Sequence, residues 1–159
     1  MNLSICYPPH PIETSDFSIF LAGTIDMGYS RNWQQEVIAY LSKQAINRKL
    51  TIFNPRRKDW DNSWVQDMDN PDFNQQVNWE LDALETADLI ILYLEKDSKS
   101  PISLLELGLF ADTKKVVVCC EKGFWRKGNV DIVCQRKGII IFENIEDMLL
   151  FISTQKLFE

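Results

Sequence analysis

The sequence predicts an α/β domain of doubly wound type, a parallel sheet with helices on both faces. Three observations lead there. Five short apolar runs rich in Ile, Val, Leu and Phe punctuate the chain. Between them lie stretches whose apolar residues recur at helical spacing. Hydrophobic residues make up 45% of the 159 positions, enough for strands buried on both faces, which read as unbroken apolar runs.

Residues 1–16 carry three prolines among polar residues and read as an irregular arm, followed by one domain over 17–159. Ser18–Ala22 is the first expected strand, closed by Gly23. Asn32–Ala45 sets Trp33, Val37, Tyr40 and Leu41 at helical spacing. Leu50–Phe53 is the second strand, and the polar stretch Arg56–Asn70 reads as a long loop. Pro71 opens a helix with Val77, Leu81 and Leu84 on one face. Asp88–Leu94 is the third strand, and Pro101 opens a helix running to about Asp112. Lys115–Cys120 and Gly138–Phe142 are the fourth and fifth strands, separated by a loop at Gly123–Asn129 and a short helix near Val130–Lys137. Asn144 caps a last helix. Numbered in this way, the strands are expected in the order 2-1-3-4-5. The crevice of such a sheet lies at the carboxyl ends, between strands 1 and 3. That selects Gly23–Tyr29, Glu95–Glu106 and Glu121–Asn129 as the segments around a site.

Charge and composition narrow the function. The net charge is −6 and the isoelectric point about 4.8, which argues against a nucleic acid polymer as partner. Cys6, Cys119, Cys120 and Cys134 form no CxxC pair and His10 is the sole histidine, so no metal site is expected. Reduced thiols fit a cytoplasmic setting. The opening MNLSICYPPHPIETSD lacks the basic stretch and long apolar run of a secretion signal, and no apolar segment is long enough for a membrane span.

Several residues could carry chemistry. Gly23, after the first strand, permits a tight turn and close backbone approach. Neither GxGxxG nor GxxxxGK[ST] occurs, which speaks against a dinucleotide or triphosphate cradle. Glu106 stands among Leu104, Leu105, Leu107 and Leu109; it is either a solvated helix glutamate or a carboxylate held at the crevice, where it could act as a nucleophile. Glu80, Asp82 and Glu85 share a helix, and Glu80 and Asp82, two apart, point in different directions. Carboxylates from two helices meeting over one pocket would suit glycosidic bond chemistry. The tryptophans at 33, 60, 64, 79 and 125 either pack or stack on a heterocyclic base, with Trp60 and Trp64 the better ligand candidates. Arg56 and Arg57 could meet a phosphate or be solvated.

The blocks FLAGTIDM, FNPRRKDWD, NWELDALETADLIILYL, SPISLLELGLFA and GFWRKGNVDIV, in this order, resemble the nucleoside 2-deoxyribosyltransferase-like family from about Ile19 to Val133. The resemblance implies a flavodoxin-like fold and transfer of 2-deoxyribose between bases. It implies Glu106 as nucleophile and Glu80 as the acidic residue that contacts the base and handles its proton, a position where better-known branches have aspartate. Gly23, Thr24 and Ile25, followed by Asp26, match the loop lining the sugar site. Asn129 matches an asparagine presented to a neighbouring subunit's site. Ser100 stands where transferases often have aspartate and monophosphate-cleaving relatives have serine, whereas Asp26 follows the first strand where a phosphate-binding branch would prefer a cation. A tyrosine that positions the nucleophile in some relatives is replaced near the first strand by Ile19 and Phe20, leaving Tyr29, Tyr93 or no residue at all in that role.

The reading that follows is a retaining double displacement without metal or organic cofactor. Its partners are a deoxynucleoside and a free nucleobase, handled by a homo-oligomer with shared active sites. Glu106 attacks C1′, and Glu80 or Asp82 protonates or orients the departing base. Two alternatives stand beside it: an N-glycosidase that hydrolyses deoxynucleosides or their monophosphates, and a module that senses a nucleoside or nucleotide without turnover.

Overall fold

The computed structural model describes residues 2–25, 31–57 and 63–155. Its strands are β1 (Leu3–Cys6), β2 (Phe17–Gly23), β3 (Leu50–Phe53), β4 (Leu89–Leu94), β5 (Val116–Cys120) and β6 (Ile141–Phe142). The helices are α1 (Trp33–Leu41), α2 (Pro71–Thr86), α3 (Pro101–Phe110), α4 (Lys127–Lys137) and α5 (Ile145–Ser153). All strand pairs are parallel, in the order β1-β3-β2-β4-β5-β6. The five expected strands therefore take their expected order, in a doubly wound, flavodoxin-like α/β sheet.

The strand count needs correction. Six strands form the sheet, because Leu3–Cys6, expected as part of an irregular arm, pairs with β3 from Leu3↔Leu50 to Cys6↔Phe53. Leu3 and Ile5 pack on one sheet face, and the Ser4 hydroxyl lies 3.0 Å from that of Thr51. Period-2 alternation in a four-residue run is enough for a strand when a neighbour supplies the backbone partners.

The same alternation divides the core. Phe20, Ala22, Ile90, Leu92, Val118 and Cys120 point to one face, covered by α2, α3 and α4. Ile19, Leu21, Ile91, Tyr93, Val117 and Cys119 point to the other, covered by α1 and α5. Adjacent Cys119 and Cys120 thus enter different cores, as their neighbourhood in a strand requires.

Helix ends are set by local chemistry. The Asn70 side chain accepts from the Asp72 and Phe73 amides ahead of Pro71. At the other end of α2, the Lys115 ammonium donates to the carbonyls of Leu84, Glu85 and Ala87 at 2.7–2.9 Å, satisfying acceptors that the helix leaves open. Asn144 caps α5 by accepting from the Asp147 amide. Asp88 secures the amino end of β2, accepting from the Ser18 amide and hydroxyl at 2.8 and 2.9 Å. Among the described residues no helix is long and apolar enough to cross a membrane.

Candidate functional site

The carboxyl ends of β2 and β4 meet at Gly23, which pairs with Tyr93. Gly23 has φ +136°, and a Cβ there would lie 2.1 Å from the Tyr93 carbonyl oxygen. Only glycine lets the two backbones approach so closely. Beyond it, Thr24 turns inward: its amide donates to the Tyr93 carbonyl and its own carbonyl accepts from Trp33 Nε1 at 2.8 Å. Its hydroxyl lies 2.9 Å from Ser98 Oγ and 2.6 Å from Ser100 Oγ and accepts from the Glu95 amide. Thr24, Ser98 and Ser100 form a buried hydroxyl cluster.

Thr24 and Ser100, expected as substrate contacts, turn their hydroxyls into this cluster. The hydrogen-bonding groups of both are engaged inside the loop. Ser100 precedes α3 in the left-handed region, φ 45°, ψ 52°, and its hydroxyl bonds within the cluster instead of capping the helix. Ser98 went unnoticed in the sequence because its role depends on Thr24, far away along the chain. Ile25 is half-buried just past Thr24, and Asp26 and Tyr29 lie outside the described residues.

Two carboxylates converge between α2 and α3. Glu106 is on the buried face of α3, 9% exposed. Glu80 is on α2, where Gln76, one turn earlier, donates to its Oε1 at 2.8 Å and to the Pro55 carbonyl at 3.3 Å. Arg57 donates to the Gln76 side chain and lays its guanidinium over the half-buried Trp64 ring. The segment after β3 thus buttresses the helix that holds Glu80.

Burial pushes the Glu80 carboxyl up to about 7, against the opposing Gln76 hydrogen bond. Burial and then the charge of Glu80 push Glu106 up to about 8. Near neutral pH the two carboxyls therefore resist joint ionisation. One ionised and one protonated carboxyl is a nucleophile–acid combination.

Asp82 does not join this pair. It is exposed in a groove of about 420 Å³ beside Pro9, His10 and Trp79, because its offset of two residues turns it to another side of α2. Glu85 is exposed. Asn129 is also re-placed: the expected loop is the first turn of α4, and Asn129 is exposed in a groove of about 280 Å³ with Leu104, Leu107 and Gly108 of α3. Neither Glu80 nor Glu106 lines either of these two grooves.

Tryptophan placement divides along similar lines. Trp33 is fully buried against Tyr93, and Trp79 is buried edge-on to Phe53 with Nε1 donating to the His10 carbonyl. Trp125 is 45% exposed and donates to the Lys99 carbonyl, with Lys99 and Arg126 cations 4.5 and 4.3 Å from its ring centroid. Trp60 lies outside the described residues. Tyr93 donates to Glu121 at 2.6 Å, away from Glu106 on the opposite face of the sheet, so it does not position that carboxylate. Arg56 donates to the Arg31 carbonyl and the Gln34 side chain.

A family model described as "nucleoside 2-deoxyribosyltransferase like" matches residues 16–124. That span runs from the residue before β2 to the loop before α4 and includes both carboxylates. A comparison with curated proteins finds no match.

Proposed function

The chain belongs to the nucleoside 2-deoxyribosyltransferase-like family, and on that premise we propose that it transfers 2-deoxyribose between nucleobases through a glycosyl ester on Glu106. The observation that carries this reading is the pairing of Glu106 with Glu80 in a buried space, each with a raised pKa.

The first displacement uses the singly protonated pair with Glu106 ionised and Glu80 protonated, the minor of its two forms in the free chain, where Glu80 is the more acidic partner. A Glu106 oxygen bonds to C1′ as the C1′–N bond breaks, through an oxocarbenium-like transition state. The electron pair of the broken bond goes to the base nitrogen, where the base takes up the Glu80 proton, directly or through its tautomer. In the second displacement a nitrogen of the incoming base attacks C1′, Glu106 departs as carboxylate, and the incoming base returns a proton to Glu80. Burial serves both steps by strengthening the attraction between the carboxylate and the developing positive charge. A 2′-hydroxyl withdraws electrons from C1′, which favours deoxyribosides. Water in place of the second base turns the same site into an N-glycosidase.

A homo-oligomer belongs to this proposal. Ile102, Leu105 and Leu109 of α3, with Ile132 and Val133 of α4, form an exposed apolar face around the groove that holds Asn129. A second copy covering that face would bring Asn129 toward a neighbour's site. The four free thiols favour a reducing cytoplasmic setting.

The test is incubation with a deoxynucleoside, with and without a second free base. A new nucleoside is expected, together with a sugar adduct on Glu106 when the ester is trapped. Free sugar alone would replace transfer by hydrolysis. Binding without turnover would replace both by a sensing role. An adduct on another carboxylate would remove Glu106 as nucleophile.

A further inference from the structure

The buried face of α3 carries two polar residues, Ser103 and Glu106, 4% and 9% exposed. Neither side chain has a hydrogen-bond partner among the described residues. The other buried serines and threonines do: Ser18 bonds to Asp88, Thr24, Ser98 and Ser100 to one another, and Thr51 to Ser15. Nor is the Ser103 hydroxyl sealed in. The buried side-chain atom cut off from solvent without a partner, among the described residues, is Gln34 Nε2. The Ser103 hydroxyl, without a protein partner, therefore keeps some access to solvent.

Three residues of helix separate Ser103 from Glu106, which puts them on one face with Cβ atoms about 5–6 Å apart. With solvent in reach, water serves the hydroxyl in the free protein, and a ligand hydroxyl can take that water's place.

Stereochemistry selects that partner. A natural nucleoside carries its base on the β face of the sugar, so displacement brings the nucleophile to C1′ from the α face. In 2-deoxyribose the 3′-hydroxyl also points to the α face, two carbons along the ring from C1′. A sugar with C1′ over Glu106 exposes that hydroxyl to groups flanking the glutamate on the same helix face. Given the transferase reading above, on which this rests, we infer that Ser103 is a sugar-binding and specificity-determining residue that hydrogen bonds the 3′-hydroxyl of the bound deoxyribose.

The experiment screens 2′-deoxynucleosides of adenine, hypoxanthine, cytosine and thymine, then compares the best substrate with its 2′,3′-dideoxy analogue in wild type and Ser103→Ala. Wild type should favour the substrate that has the 3′-hydroxyl. Ser103→Ala should lose about 10-fold in kcat/KM on that substrate and less than about 3-fold on the dideoxy analogue. Ser103→Thr, which keeps a hydroxyl, should retain the preference. Equal losses on both sugars would overturn the assignment. So would a wild-type enzyme indifferent to the 3′-hydroxyl, a result that requires no variant to fold. A wild type inert toward all four deoxynucleosides would remove the transferase reading, and this inference with it.

Discussion

The negative charge of Glu80, on α2, opposes ionisation of Glu106, on α3, in a space that burial has already made hostile to both charges. The proton balance of this pair sets the first expectation. With one carboxyl pushed to about 7 and the other to about 8, the pair holds two protons below that range and none above it. The active form carries one. A plot of kcat/KM against pH should therefore be bell-shaped, with its maximum between about 7 and 8. Activity that stays flat from pH 5 to 9 would show that the pair does not titrate in the working range.

Stability should change in the opposite direction to activity at Glu106. Its folded pKa is raised from 4.5 to about 8, so between those values the folded protein keeps a proton that the unfolded chain has released. Stability is then lost as pH rises through that window. Glu106→Gln removes the titration, and should be more stable than wild type by roughly 1–3 kcal/mol at pH 8. The difference should vanish at pH 4, where both states of wild type are protonated. Denaturant unfolding at the two pH values checks the sign, and the same variant should be inactive.

Gln76 tunes the acid. Its hydrogen bond stabilises the ionised form of Glu80, so Gln76→Leu should move the acid limb of the pH profile upward and leave the basic limb closer to its place. The Pro55 carbonyl also loses a donor, and a loss of about 1 kcal/mol in stability should accompany the shift. A profile unmoved along the pH axis would separate Gln76 from proton handling.

Gly23 tests the close approach of β2 to β4. A Cβ 2.1 Å from the Tyr93 carbonyl oxygen cannot be accommodated by a side-chain rotation, because the obstacle is backbone. Gly23→Ala should destabilise the fold by about 3 kcal/mol or more. A melting temperature within a degree or two of wild type would contradict the geometry.

Subunit mixing examines the shared site. Inactive Glu106→Ala and Asn129→Ala proteins should regain some activity when combined, since a hybrid dimer holds one intact composite site. The test requires Asn129→Ala to be strongly impaired alone and the subunits to exchange. With those conditions met, a mixture without activity, or an active monomer, would reject the shared site.

Much of the fold was readable because its strands are long in apolar residues: Leu89–Leu94 is unbroken aliphatic sequence apart from Tyr93. Leu3–Cys6 was not, since four residues ahead of a proline-rich turn become a strand only through β3. At the site, Glu80 and Glu106 could be picked out individually, but their proximity arises because α2 and α3 cover the same face of the sheet. Helical periodicity indicated that Glu80 and Asp82 diverge, without saying which of them turns inward. Thr24 and Ser100 were singled out by the family resemblance, and only tertiary structure reveals that their hydroxyls bond to one another. Gln76 had a usable signal, a polar side chain one helical turn before Glu80.

Lys115 makes α2 a lever with one fixed end. Three carbonyls at the carboxyl end of the helix are held by its ammonium, so a tilt about that end displaces each residue in proportion to its distance from it. At 1.5 Å per residue, Glu80 stands roughly 7 Å from the fulcrum and Asn70 roughly 22 Å. A tilt of about 5° therefore moves the acid by roughly 0.6 Å and the far tip by roughly 2 Å.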